Sequence, residues 1–148
     1  MKRNRRDREA GMSVLEVVLL APFIIGFIML LVGFGVLVDA RGTIQGAARD
    51  AARMGSLQRD DGSANSAATS AAQADGLDGL CNGANGWHLD QIDPDTKAQT
   101  NAFAPGELYT VRITCDVSLG ALNWFNIGDK TFVTDATAPL DVFRRTTP

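Results

Sequence analysis

The sequence has no excess of positive charge. Its 148 residues contain 14 Lys and Arg against 17 Asp and Glu, which gives a formal net charge of -3. A nucleic-acid-binding surface needs surplus cationic side chains to neutralise phosphates. We therefore expect no nucleic-acid partner. The length suits one small domain together with a membrane anchor.

Histidine and cysteine are also scarce. The chain has one histidine, His88, and two cysteines, Cys81 and Cys115. Two cysteines cannot form a structural zinc site without further ligands. No Gly-x-Ser-x-Gly elbow or metal-ligand spacing accompanies His88, so it is not expected to be a catalytic base. These absences predict a protein that is not an enzyme and has no cofactor.

A cluster of three aspartates around Pro94 offers oxygen ligands for a cation such as Ca²⁺. The cluster lacks the spacing of an EF-hand loop, so a solvated acidic loop is the favoured interpretation. No metal site is expected. The aspartates are Asp90, Asp93 and Asp95.

Charge is nearly absent from a long block near the N-terminus. From Met12 to Val38 the only ionisable side chain is Glu16, and the 22 residues from Val17 to Val38 carry none. At 1.5 Å per residue those residues span about 33 Å, enough to cross a hydrocarbon core of about 30 Å. The block predicts a transmembrane helix over 12–38, since a buried helix of a soluble protein rarely stays apolar on all sides. Pro22 removes a backbone hydrogen bond and predicts a local bend.

The charges on either side of the block predict its orientation. Cationic residues before a span favour the cytoplasm, so the residues after 38 should be extracytoplasmic, and the span itself should contact the lipid bilayer. Both cysteines lie there, where a disulfide can form and persist. The cationic residues are Lys2, Arg3, Arg5, Arg6 and Arg8, opposed by Asp7 and Glu9.

The junction between the basic residues and the apolar block has a specific spacing. It resembles a class III type IV prepilin signal, in which cleavage follows a glycine and a glutamate stands at mature position five: here Gly11, Met12 and Glu16. Cleavage would leave an α-amino group on Met12, and Glu16 would share its helix face. The carboxylate would offset that amine and the positive helix N-terminus, or pair with the amine of a neighbouring subunit. Two alternatives stay open, an uncleaved signal anchor and a secretory signal peptide cut after Ala40.

Beyond the membrane block the helical pattern continues over 39–57 as a stalk, with Gly55 as the expected C-cap. One apolar seam is expected to face a small domain. A separate polar face carries Arg49 and Arg53 and is expected to be solvated, with a partner surface as the less favoured alternative. The predicted seam consists of Ala40, Ile44, Ala47, Ala51 and Met54, and the polar face also includes Arg41 and Gln45.

These motifs together resemble the TadE-like family, the minor pseudopilins of the tight-adherence (Tad/Flp) pilus. The resemblance covers residues 11–57 and rests on three elements: the junction from Gly11 to Glu16, a span containing Ala21-Pro22, and the repeat of Ala-Ala-Arg triplets ending at Arg49 and Arg53. Residues 58–148 match only in layout, although the family commonly carries a cysteine pair there. The resemblance implies four partners: a prepilin peptidase, other TadE-like pseudopilins, the major Flp pilin and a membrane assembly platform.

Residues 58–148 are predicted to form a small α+β domain, so that a long N-terminal helix carries a C-terminal antiparallel β-hairpin. Residues 64–74 favour a short helix or a linker, and the Gly, Asn, Asp and Pro content of 82–105 favours loops. Alternation predicts a strand over 107–119, with its odd-numbered face packed on the stalk. A second strand over 130–137 and 140–144 is interrupted at Pro139, which indicates an edge position or a bulge.

Two features of this domain bear on function. Cys81 and Cys115 would close a loop of about 35 residues, worth roughly 3–4 kcal/mol in the chain-entropy model. Free thiols or an intermolecular bridge are the alternatives. Trp124 and Phe125 favour a core position, with an exposed adhesive tip as the alternative.

The sequence thus predicts a minor pseudopilin with four segments: a cytoplasmic leader (1–11), a transmembrane helix (12–38), a stalk (39–57) and an extracytoplasmic domain (58–148). It would sit in the cytoplasmic membrane with its N-terminus inside, and the resemblance extends this to the surface pilus. The competing hypothesis is a signal-anchored binding domain unrelated to pili, such as an adhesin or an envelope sensor. An anchored envelope enzyme is a third class.

Overall fold

The computed structural model describes residues 6–82, 85–118 and 128–143, with side chains from residue 16 onward. Within these residues, three helices precede a three-stranded antiparallel sheet of order β1-β2-β3, which confirms the predicted α+β class. The chain divides into two units, one ending at Val36 and one beginning at Leu37. The elements are α1 (Arg6–Ser56), α2 (Asp61–Ala74), α3 (Leu77–Leu80), β1 (Trp87–Ile92), β2 (Leu108–Val117) and β3 (Lys130–Pro139).

The described part of the first unit is helix. Its large apolar side chains are exposed on every side, for example Phe23 at 77% and Phe27 at 62%. Only 6% of its most apolar window is buried, which distinguishes it from the core helix of a soluble protein. Among the described residues, this is the one helix that is both long enough and apolar enough to cross a membrane. Pro22 lies inside the helix, and the bend there stays a prediction.

In the second unit, α1 buries a stripe of small residues. Ala40, Ile44, Ala47 and Ala51 are fully buried as predicted, but Met54 is 44% exposed and the prediction for it is wrong. The predicted seam, spaced 4, 3, 4, 3, repeats every 3.5 residues, whereas an α-helix has 3.6 residues per turn. The seam therefore rotates slowly around the helix, and its last residue no longer faces the core. The residues that complete the stripe instead are Ala48, Ala52 and Gly55.

Helix α2 begins with a side-chain cap. The Asp60 carboxylate accepts a hydrogen bond from the Ser63 N–H at 2.9 Å, which satisfies one of the free donors of the first turn. The helix ends where Gly76 adopts a φ of +85°, a conformation that glycine reaches without steric cost. Its alanines at spacing four, Ala64, Ala68 and Ala72, are fully buried in the core.

Strand β2 shows the predicted alternation. Its odd-numbered side chains, Tyr109 through Val117, are at most 2% exposed and share one core cluster with the α1 alanines, so the predicted packing on the stalk is confirmed. Strand β3 pairs with β2 and forms one edge of the sheet. Pro139 is its last residue, and its edge position is confirmed, because an edge strand tolerates a residue without an N–H. The predicted continuation of the strand beyond Pro139 is wrong for residues 140–143, which are not in a strand.

The region 82–105 departs from expectation. It was predicted to be loops, but Trp87–Ile92 forms β1 and pairs with β2, so the hairpin becomes a three-stranded sheet. The flanks of the strand are rich in Gly and Asn, which indicates loops, whereas the contacts that hold the strand come from distant segments. Trp87 lies opposite Cys115 in the register, and its indole N–H donates to the Asp78 carboxylate at 2.7 Å.

Candidate functional site

The predicted processing junction lies within the backbone of α1. The helix begins at Arg6 and continues through Gly11, Met12 and Glu16 without a break, so part of the predicted leader is helical. The described side chains start at Glu16, whose carboxylate is exposed. The cleavage between Gly11 and Met12 stays a prediction.

The position of Glu16 defines what the junction can do chemically. It begins a stretch whose apolar side chains are exposed, so a lipid environment would surround the residues that follow. A carboxylate at the centre of a membrane helix costs about 2.5–3.5 kcal/mol on insertion scales, and less at the membrane edge. A cationic amine on Met12, four residues earlier on the same helix face, would remove much of that cost. If the predicted cleavage occurs, this spacing would place the new amine where it can neutralise Glu16.

Arg49 and Arg53 lie on α1 in the second unit. Both side chains are exposed, and within the described residues neither takes part in a salt bridge. Their exposure fits a solvated face and also a partner surface. Trp124 and Phe125, the other predicted partner residues, lie outside the described residues.

The two cysteines form an intramolecular disulfide, which excludes free thiols and an intermolecular bridge. The Sγ atoms of Cys81 and Cys115 are 2.03 Å apart, and both residues are fully buried. The bond joins the end of α3 to the centre of the sheet. It therefore fixes the connection between the helical and the β halves of the second unit.

The acidic cluster near Pro94 has a local structural role. The Asp93 carboxylate accepts hydrogen bonds from the backbone N–H groups of Thr96 and Asp95, which hold its pKa below the usual value. Asp90 accepts from Gln99 at 2.8 Å and lies 3.7 Å from the His88 ring. No group of three metal-ligating side chains occurs in the part of the chain that the structure describes.

A cavity of about 210 Å³ lies beside this cluster, lined in part by Asp93, Gly106 and Glu107. Small-molecule sites usually enclose about 300–1,000 Å³. The cavity is therefore smaller than a typical substrate pocket.

Tyr109 and Gly55 form a close contact that the sequence did not reveal. A Cβ at Gly55 would lie 2.8 Å from Cζ of Tyr109 and 2.9 Å from its hydroxyl, so only glycine fits. The expected C-cap role of Gly55 is wrong, because α1 includes it and ends at Ser56. Burial, with a smaller effect from the charge of Asp61, raises the pKa of Tyr109 to about 12.

A row of three charged residues crosses the outer face of the sheet, and it also escaped the sequence analysis. Asp90, Arg112 and Asp135 occupy paired positions on β1, β2 and β3. Arg112 binds Asp135 through two hydrogen bonds of 2.7 and 3.0 Å, which lower the pKa of that carboxyl. Lys97 lies 3.5 Å from the same carboxylate. Together with Lys97, the three residues carry no net charge and form a polar face.

The N-terminal motifs agree with a comparison against known families. The family model described as TadE-like protein matches residues 11–53, from the glycine of the predicted junction to the second arginine of the stalk. No curated protein and no solved structure matches the chain. Residues 11–53 of this chain are thus similar to the TadE-like family, and the resemblance that the motifs predicted is confirmed over that segment.

Proposed function

We propose that this protein is a minor pseudopilin of a Tad/Flp pilus, processed after Gly11. The observation that carries the proposal is the extent of the family match, which begins at Gly11 and includes both Glu16 and the membrane-length helix. TadE-like proteins take part in Tad pilus systems. The basic residues before Gly11 lie outside the match, as expected of a leader that the mature protein lacks.

The mechanism follows from charge and helix geometry. The precursor inserts with its basic leader in the cytoplasm and its disulfide-bonded second unit outside. A prepilin peptidase cuts between Gly11 and Met12 with its own catalytic groups, so this chain is its substrate. The new amine then pairs with Glu16 of the same or a neighbouring subunit.

The partners in this scheme are other helices in the membrane. The exposed apolar side chains of α1 would pack against other TadE-like pseudopilins and the major Flp pilin, and the assembly platform would engage the same segment. The second unit, outside the membrane, would then initiate, prime or cap the pilus.

The test is the N-terminus and intact mass of the protein extracted from membranes of cells with and without the prepilin peptidase. We expect the chain to begin at Met12 only when the peptidase is present. A chain that keeps residues 1–11 in both strains would overturn the proposal and leave a signal-anchored binding domain.

A variant separates processing from assembly. Glu16→Ala should still insert but abolish pili, because the Met12 amine loses its counter-charge. The matched control is Asp50→Ala, which removes an exposed carboxylate from the same helix outside the apolar block. Equal piliation in the two variants would contradict the role of Glu16.

A further inference from the structure

The portion of α1 in the second unit has two distinct faces. One face is covered by the rest of the unit and consists of Ala40, Ile44, Ala47, Ala48, Ala51 and Ala52. At 100° per residue, the centre of a second face lies roughly 170° away. That face carries Gly42, Gly46, Arg49 and Arg53, and we refer to it as the Gly–Arg face.

The described residues of the chain leave the Gly–Arg face uncovered. A Cβ added at Gly42 or Gly46 would meet no atom within 4 Å. Gly42 is exposed and Gly46 is half-buried. Each glycine costs about 1 kcal/mol of helix stability relative to alanine, and no other described residue fills the space beside it. The guanidinium groups of Arg49 and Arg53 form no ion pair with described residues, although Asp50 is adjacent in sequence.

The charge on this face indicates what kind of partner could bind it. If a second copy packed in parallel through the same face, Arg49 would lie opposite Arg49 and Arg53 opposite Arg53. Facing like charges are destabilising and select against that partner. Guanidinium groups instead bind carboxylates, often through two parallel hydrogen bonds. The complementary occupant is therefore a helix with carboxylates at the level of the two arginines.

We propose that the Gly–Arg face docks an acidic helix of a different pilin-like protein, lying parallel to α1 outside the membrane. The inference rests on the proposed function in taking the partner to be pilin-like. The glycines permit a close approach of the two backbones, and the arginines select an acidic partner over a second copy.

A charge-reversed variant of the same chain can serve as the acidic partner in a binding experiment. Full-length Arg49→Glu/Arg53→Glu protein presents an acidic helix of the same length and with the same membrane segment. Wild type and variant, labelled at the C-terminus with a donor and an acceptor, are mixed in detergent micelles and followed by energy transfer. We expect the mixed pair to bind about tenfold more tightly than either protein binds itself, because two repulsions become two attractions. One molar salt should remove the difference.

Arg41→Glu/Arg59→Glu is the matched control, since it makes the same change of net charge at exposed positions. Both lie outside the Gly–Arg face, because Arg41 is about 110° from its centre at 100° per residue and Arg59 follows the end of α1. Mixed with wild type, it should show no gain. The proposal is overturned if the control gains as much, if the Arg49→Glu/Arg53→Glu variant shows no gain with wild type, or if wild type binds itself as tightly as the mixture. Neither a peptidase nor a pilus is needed, so these outcomes are independent of the processing experiment.

Discussion

Replacing Gly55 with alanine should destabilise the second unit, although the same change is usually favourable in a helix. The added Cβ would lie 2.8 Å from Cζ of Tyr109, closer than real Cβ contacts. The ring cannot retreat easily, because it is fully buried and meets Phe103 edge-on with centroids 5.8 Å apart. Overpacking of this kind costs about 1–3 kcal/mol, and better helix propensity returns up to about 1 kcal/mol. We expect a net loss of about 1–2 kcal/mol.

Thermal unfolding of the full chain in detergent measures this effect. Near-ultraviolet circular dichroism is the suitable signal, because α1 would dominate the far-ultraviolet signal. For a unit of this size the loss corresponds to a fall in Tm of about 4–8 °C.

Gly46→Ala is the matched control on the same helix, where an added Cβ meets no atom within 4 Å. It should raise the Tm by a few degrees. If Gly55→Ala raised the Tm as well, the reasoning that places the Tyr109 ring against Gly55 would be refuted.

Two further predictions concern the same core. Tyr109 is the only tyrosine, and its pKa is raised to about 12, so its absorbance should titrate near pH 12 in the folded protein and near pH 10 after unfolding. Because the pKa of Tyr109 is higher in the folded protein, its contribution to the free energy of unfolding should be complete below pH 10 and be lost as the pH rises to about 12. A tyrosine titration near pH 10 in the folded protein would contradict the burial of this side chain. Replacing both Cys81 and Cys115 with serine should lower the free energy of unfolding by about 3–4 kcal/mol, since the bond spans a sequence separation of 34. An unchanged denaturant midpoint in that variant would exclude a stabilising role for the bond.

Much of the architecture was accessible from local patterns. The apolar block, the alternation of β2 and the odd-numbered buried face follow from periods of 3.6 and 2 residues, which are properties of a single segment. The position of Pro139 at the sheet edge followed from its missing N–H. The proposed junction depends on the spacing between Gly11 and Glu16, which is likewise local.

The errors in prediction have a common origin in contacts between distant segments. β1 was missed because its polar and Gly-rich flanks indicate loops, whereas its pairing partner lies in β2. Met54 was placed in the core because a narrow seam was extended without the drift of a real helix. The Arg112–Asp135 pair joins residues 23 apart, and no spacing rule predicts it.

The sequence by itself determined the membrane-length apolar block and the charges on each side of it, and it predicts the prepilin-type junction, because these features depend on residue order along one helix. Only the tertiary structure decided that Cys81 bonds to Cys115, that Tyr109 packs against Gly55, and that no described residue covers the Gly–Arg face. The physical reason is that burial and proximity depend on how separate segments pack, and packing is a property of the whole unit.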